Sequence, residues 1–207
     1  MKFVLPIIEK LGHISKTHKM PCYSWSLSAF DCIATDPICM KICYAKRHHY
    51  NFSNVKEALH KNKTAYLDRN WVRNFKKFLL QTDTKFFRWF DSGDLPNILL
   101  LEKICKIADN NKQVKFWLPT RMKGILTNYY EANNRIKLSK LHKNLIIRFS
   151  ASDVDTDPDY DFAKKLGLVT SSIRKKFNCR AKANKGQCGS CRMCWNPKVK
   201  EVSYYLH

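Results

Sequence analysis

Apolar residues recur along this chain in two different periods. FFRWF (86–90), VKFWLP (114–119) and NLIIRFSAS (144–152) are short apolar runs bounded by turns and rich in aromatic and β-branched residues, and they predict buried strands. Between and around them the spacing is helical. Val55, Ala58, Leu59, Ala65 and Tyr66 form one such series, and Trp71, Phe75, Phe78 and Leu79 a second. Met122, Ile125, Leu126, Tyr129 and Tyr130 form a third. Asn54 with Glu57 three residues later resembles a capping box, and Pro96 suits the first turn of a helix running to about Ala108. Gly167 stops a short helix carrying Tyr160, Phe162, Ala163 and Leu166. Residues 24–30 alternate as a short strand, LVTSS (168–172) supplies another, and VSYYL (202–206) alternates like an edge strand. Residues 1–20 read as a terminal strand or arm that ends in the basic piece KTHKM.

Strand and helix alternating in this way imply an α/β fold with a parallel sheet and crossover helices. With about six strands, a partial (β/α)6-type barrel fits better than an open doubly wound sheet. Residues 1–172 form the expected barrel domain, and 173–207 a cysteine-rich cluster module with a closing strand. Trp25, Trp89, Trp117, Tyr129, Tyr130 and Cys105 are assigned to the core. In such sheets chemistry collects at the carboxyl ends of strands. The cysteine loop after residue 30, Asp91–Asp94, Thr120-Arg121 and Ser150–Asp153 all fall at such ends.

The charge changes the picture. Lys+Arg number 38 against 17 Asp+Glu, a net charge of +21, which favours a polyanionic partner, most simply DNA or RNA. The plainer alternative is a lysine-rich chain whose charge serves solubility. No stretch approaches the ~20 apolar residues that span a bilayer, so no membrane partner is expected. The opening MKFVLPIIEKLGHISK is broken by Pro6 and Glu9 and lacks a small-residue cleavage site, which places the protein in a reducing cytoplasm. In that compartment nine cysteines point to metal ligation rather than disulfides.

Those cysteines fall into two groups. Cys32, Cys39 and Cys43 are three soft ligands after the first interior strand, on what reads as a loop. Three thiolates would leave one iron of a [4Fe–4S] cluster without a protein ligand, and an open metal position is where a substrate or cofactor binds. Zinc completed by His48 or His49 is the alternative. Cys179, Cys188, Cys191 and Cys194 supply a Cys-x2-Cys-x2-Cys run with one remote cysteine, similar to ferredoxin-type ligation of a [4Fe–4S] cluster. A four-thiolate zinc site is the alternative there. Arg174 to Lys200 adds nine Lys or Arg and no acid, suited either to phosphate contacts or to offsetting cluster charge. Cys22, in MPCY near the three-cysteine segment, could be a fourth ligand there.

Asp91, Ser92, Gly93 and Asp94 provide carboxylates, a hydroxyl and a flexible backbone able to hold an amine or a ribose hydroxyl. The simpler reading is that Asp94 caps the helix opened by Pro96. Arg121 could grip a carboxylate or phosphate bidentately. Asp153, Asp155, Asp157, Asp159 and Asp161 lack the glycine and terminal glutamate of a calcium loop and read as a solvated acidic stretch.

Four pieces together resemble the phage "gene product 88" family: KMPCYSWSL, the C-x6-C-x3-CYA segment, FRWFDSGD with FWLPTR, and CGSCRMCW followed by VSYYLH. That resemblance implies a viral-type protein, acting in the host cytoplasm. The family usually has glycine where Cys22 stands. More distantly, three clustered cysteines after the first strand of a six-strand β/α barrel resemble radical S-adenosylmethionine enzymes, whose usual spacing is Cys-x3-Cys-x2-Cys. This second resemblance implies a cluster whose open iron binds S-adenosylmethionine and cleaves it to a 5′-deoxyadenosyl radical. Gly93-Asp94 would then stand at the motif contacting the methionine amine, and the tail would hold an auxiliary cluster. Asp91–Asp94, Arg121 and Ser150 would line the cofactor pocket. Two readings follow. One is a radical-S-adenosylmethionine-like enzyme, served by an electron donor, acting on nucleic acid or a nucleic-acid-bound partner. The other is a non-catalytic nucleic-acid-binding protein stabilised by iron–sulfur or zinc.

Overall fold

Alternation within each strand sends its side chains to two unlike faces, and the architecture follows from that division. In a computed structural model, residues 9–206 are described. The strands are β1 (Ile14–Lys16), β2 (Tyr23–Trp25), β3 (Phe86–Trp89), β4 (Lys115–Thr120), β5 (Leu145–Val154), β6 (Val169–Ile173) and β7 (Glu201–Tyr204). The helices are α1 (Pro37–Ile42), α2 (Ser53–Ala65), α3 (Trp71–Gln81), α4 (Ile98–Asn110), α5 (Lys123–Ala132), α6 (Leu138–Leu141) and α7 (Tyr160–Leu166). All seven strands join one sheet in chain order. β1 runs antiparallel to β2, and every other neighbouring pair is parallel. The sheet is open, with β1 and β7 as its edges.

Strand order that never reverses leaves each right-handed crossover on the same side of the sheet. The core agrees. Trp25, Phe87, Trp89, Phe116, Leu118, Ile147 and Phe149 share one cluster with Trp71, Phe75 and Phe78 of α3 and with apolar residues of α4, α5 and α7. Trp25 meets Trp71 edge-on at 5.3 Å, and Phe75 meets Trp89 at 5.1 Å. Burying each such side chain is worth roughly 1.5–3 kcal/mol, so this layer dominates the fold's stability. The opposite face carries Ser24, Arg88, Trp117 and Ile146, mutual register partners across β2–β5, with Arg148 further along β5. The C-terminal segment covers that face through a second cluster of Met20, Cys22, Trp117 and Trp195.

Several expectations are corrected in detail. The strand expected over 24–30 ends at Trp25. There Leu27 bonds the Ser92 carbonyl, and the Ser28 hydroxyl takes the Phe30 N–H to start a 3-10 turn. Asn54 and Glu57 form no capping box: α2 starts at Ser53 without a side-chain cap, and Asn54 accepts only from Val55 N–H. The helix expected from Pro96 begins at Ile98, capped by Asn97, whose side chain accepts from Leu100 N–H at 3.0 Å. Of the expected N-terminal arm, residues 1–8 lie outside the described residues, and Ile14–Lys16 is the antiparallel strand β1. The acidic stretch is more than solvated, because Asp157 pairs with Arg174, while Asp159 caps α7 and pairs with Lys123.

Candidate metal and cofactor site

The carboxyl end of β3 makes a sharp turn. Phe90, buried, adopts φ 58 and donates its N–H to the Trp25 carbonyl at 2.8 Å. A left-handed residue with a β-carbon costs roughly 1–2 kcal/mol, so surrounding contacts must hold this one. They come from the next four residues. Asp91 donates its N–H to Ser26 Oγ, accepts from Ser24 Oγ, and pairs with Arg88 Nη1 at 2.8 Å. Ser92 Oγ donates to the Leu27 carbonyl at 2.6 Å. Gly93 sits at φ 70, and a β-carbon there would stand 2.8 Å from both Leu27 Cβ and its carbonyl, so only glycine fits.

Asp94 is buried, and its two oxygens accept from Leu95 N–H at 2.7 Å and Arg121 N–H at 2.8 Å. Burial raises its carboxyl above the usual range, against those bonds and one from the Thr120 hydroxyl. Asp94 therefore ties the end of β3 to the end of β4 and does not cap α4. Arg121 bonds the Ala151 carbonyl through Nε at 2.9 Å. Ser150 Oγ bonds Ser171 Oγ at 3.0 Å, so this serine joins β5 to β6.

The three cysteines lie over these strand ends, not all on a loop. Asp36 and Pro37 start the short helix α1, which carries Cys39, while Cys43 ends it and Cys32 precedes it. α1 packs on β5. Cys32 feels the fields of Asp94, Cys39 and Cys43, and Cys39 feels Arg121, Cys43 and Asp94, so the three thiols gather beside the Asp94–Arg121 tie. Burial pushes the Cys32 thiol up to about 11 and raises Cys39 as well. All nine cysteines are free, and these three are half-buried. Among the described residues, no three His, Cys, Asp or Glu side chains stand close enough to hold a metal as they are. The donors fit a soft metal in type but not in spacing as they stand, so binding would have to draw them inward and release protons. Of the alternative zinc ligands, His49 stacks on Tyr50 at 4.3 Å, while the His48 side chain lies outside the described residues.

The four tail cysteines are anchored differently. Cys179 N–H bonds the Ser203 carbonyl of β7, and Cys188 N–H bonds the Lys19 carbonyl. Trp195 donates Nε1–H to the Phe87 carbonyl at 2.9 Å and meets Trp117 edge-on at 5.4 Å. Arg148, with no exposed surface, bonds five carbonyls: Cys194, Thr170, Val199, Met193 and Asn196, at 2.8 to 3.1 Å. Cys188 feels the fields of Cys179 and Cys191, and Cys194 that of Cys179. Cys194 Sγ lies 3.3 Å from Tyr204 Oη, and burial pushes its thiol up to about 11. Cys22, expected beside the three-cysteine segment, is instead buried within this group near Cys188, and burial pushes it up to about 12.

Between the two cysteine groups lies a partly buried ion pair, Arg88–Asp91. Burial acts to lower the Arg88 guanidinium, but Asp91, Tyr44, Tyr204 and Tyr50 together hold it above its ordinary value. It lies 4.6 Å over the Trp117 ring. Tyr44 and Tyr50 both donate to the Asp91 carbonyl from the far side of the three-cysteine segment.

Comparison with protein families decides the chain's relationship. The profile described as "Gene product 88" matches residues 6–197. The chain belongs to the gene product 88 family. A search of curated proteins returns no match, and a search of solved structures returns none. Family membership bears out the expected phage character and leaves the radical S-adenosylmethionine resemblance without support from the comparisons.

In this gene product 88 protein, the structure places Asp94 within electrostatic reach of Cys32 and Cys39, and Arg121 of Cys39, while the tail cysteines neighbour one another. It assigns Asp91 and Ser92 to framing bonds. Sequence reading passed over Arg88 and Arg148, although their signal was present. Each is the one cation of its strand, on the face opposite Phe87 and Ile147 respectively. Among the described residues no helix is long and apolar enough to cross a membrane.

Proposed function

We infer that the protein is an iron–sulfur enzyme of radical-S-adenosylmethionine type, built on an open sheet wound like a partial barrel and acting on nucleic acid or a nucleic-acid-bound partner. The observation that carries this reading is the convergence of Cys32, Cys39 and Cys43 on Asp94 and Arg121 over the carboxyl ends of β2, β3 and β4. Three thiolates bind a cluster and leave a position open. A reduced cluster with such a position supplies an electron to a sulfonium cofactor. Asp94 holds the two strand ends in register, and Arg121, fixed through Nε, points one bidentate cation at the site for a carboxylate. Gly93 lets the turn at the end of β3 approach Leu27 closely. The tail cysteines hold a second cluster on the opposite face.

A second reading, a cluster- or zinc-stapled nucleic-acid binder without catalysis, is favoured by the basic tail and by Arg148's purely structural bonding. Iron, sulfide and zinc content of anaerobically purified protein, with low-temperature EPR of the reduced form before and after S-adenosylmethionine, separates the two. Near eight irons per chain, as two cubane clusters require, and a spectrum perturbed by the cofactor is the result expected of the enzyme. About four irons and no perturbation leaves one structural cluster, and zinc without iron ends the redox reading.

A further inference from the structure

A cleft of about 870 Å³ opens beside the tail cysteines, at the amino ends of β3 and β4 and away from the three-cysteine site. Its walls carry Lys115, Arg180, Arg192 and Lys198, together with Phe86 and the cysteines Cys188 and Cys191, and no Asp or Glu. Among the described residues none of the four cations forms an ion pair. The cations with the largest effect on the Cys188 and Cys194 thiols are Lys19, Arg88 and Arg148, none of them in this wall. Lys115, moreover, comes from the first residue of β4, outside the cysteine module. Four unpaired cations facing one recess repel one another, a cost that an anionic occupant removes.

Arg192 differs from the other three. Its guanidinium lies 5.2 Å over the Phe86 ring, and Nη1 is pinned by the Gly189 carbonyl at 2.6 Å and the Cys191 carbonyl at 2.8 Å. It is thus a flat, pre-oriented cation with one face on an aromatic ring, the arrangement that stacks a nucleobase. The volume lies within the range of sites that enclose small ligands. It admits one or two nucleotides of a flexible strand, whereas a duplex would rest across the rim.

We propose that this cleft binds single-stranded nucleic acid, with phosphates on Lys115, Arg180 and Lys198 and a base stacked on Arg192. The inference rests on the nucleic-acid part of the proposed function and assigns its place. The test is fluorescence anisotropy of the full-length protein with a short labelled oligothymidylate over a salt series, with unlabelled duplex as competitor. Lys115→Gln, Arg180→Gln and Lys198→Gln should each weaken binding roughly three- to fivefold and lower the slope of log K against log salt by about 0.7. Arg192→Lys, which keeps the charge but not the plane, should weaken binding with the slope unchanged. Lys76→Gln with Lys77→Gln, on the exposed side of α3, should leave affinity within about twofold. Equal losses from the α3 and cleft variants would overturn the cleft in favour of diffuse charge, and so would stronger competition from duplex. No strand binding by a protein whose cluster still responds to S-adenosylmethionine would overturn the cleft and leave the cofactor chemistry standing. Strand binding with the expected variant pattern in a protein lacking iron would uphold the cleft and discard the enzyme.

Discussion

The two cysteine groups use the same ligand chemistry and are supported in opposite ways. The tail is staked to the sheet by four carbonyl bonds from Arg148, by the indole of Trp195 and by β7. The three-cysteine segment rides over the strand ends on one short helix and 3-10 turns, and leaves Phe30, Ile33, Met40 and Phe52 half or more exposed. Exposed apolar side chains and short helices mark a segment of low local stability that can change shape when a ligand arrives. The difference teaches that donor type alone does not define a site. A rigidly held set suits structure or electron transfer, and a lightly held set with an open position suits binding and release.

The sharpest way to break this comparison is to remove one cysteine from each side. Cys39→Ala should abolish any spectral response to S-adenosylmethionine and keep the tail's iron. Cys191→Ala should lose the tail's iron and keep the response, as iron analysis and EPR will read. Loss of both centres in either variant would mean that the two groups are one unit.

Next in size is the tail's anchor. Arg148→Met removes a buried cation that donates to five carbonyls and should cost about 3–5 kcal/mol in denaturant unfolding. Arg121→Met, which loses one bond to Ala151, should cost about 1 kcal/mol. Similar costs for the two would erase the contrast between a staked and a lightly held region.

Glycines sharpen it further. Gly93→Ala combines a left-handed backbone with a β-carbon 2.8 Å from Leu27, and should destabilise by about 2–3 kcal/mol. Gly186→Ala in the tail has φ 83 but open space around it, and should cost about 1 kcal/mol. The smallest effect is on pH dependence. Cys32 and Cys194 are both raised from 9.0 to about 11 in the folded, metal-free chain. Between those values the folded state keeps protons that the unfolded state has lost, so stability falls as pH rises from about 9 through about 11. Cys32→Ala and Cys194→Ala should each flatten part of that decline in chemical denaturation of metal-free protein.

Much of the fold was legible because burial on both faces leaves a plain record. FFRWF, VKFWLP and NLIIRFSAS became β3, β4 and β5 nearly to the residue, and Trp71, Phe75, Phe78 and Leu79 are the buried face of α3. Element boundaries set by side-chain bonds were not legible. Asn97, not Asp94 or Pro96, starts α4, because which oxygen reaches which N–H depends on where the chain is already held. The cysteine spacings announced two groups, yet α1 under Cys39 was hidden by its brevity.

By itself the sequence determined the parallel strand–helix order, the two cysteine groups and the cationic character, since all three depend on residue type and local period. Only the tertiary structure decided that Asp91 and Ser92 are framing residues, that Asp94 comes near Cys32 and Cys39 and Arg121 near Cys39, and that Arg148 is buried and Arg88 partly buried on the sheet's second face. Those outcomes depend on contacts between residues tens of positions apart. There the geometry of the sheet, and not any local preference, sets which polar groups must satisfy one another away from water.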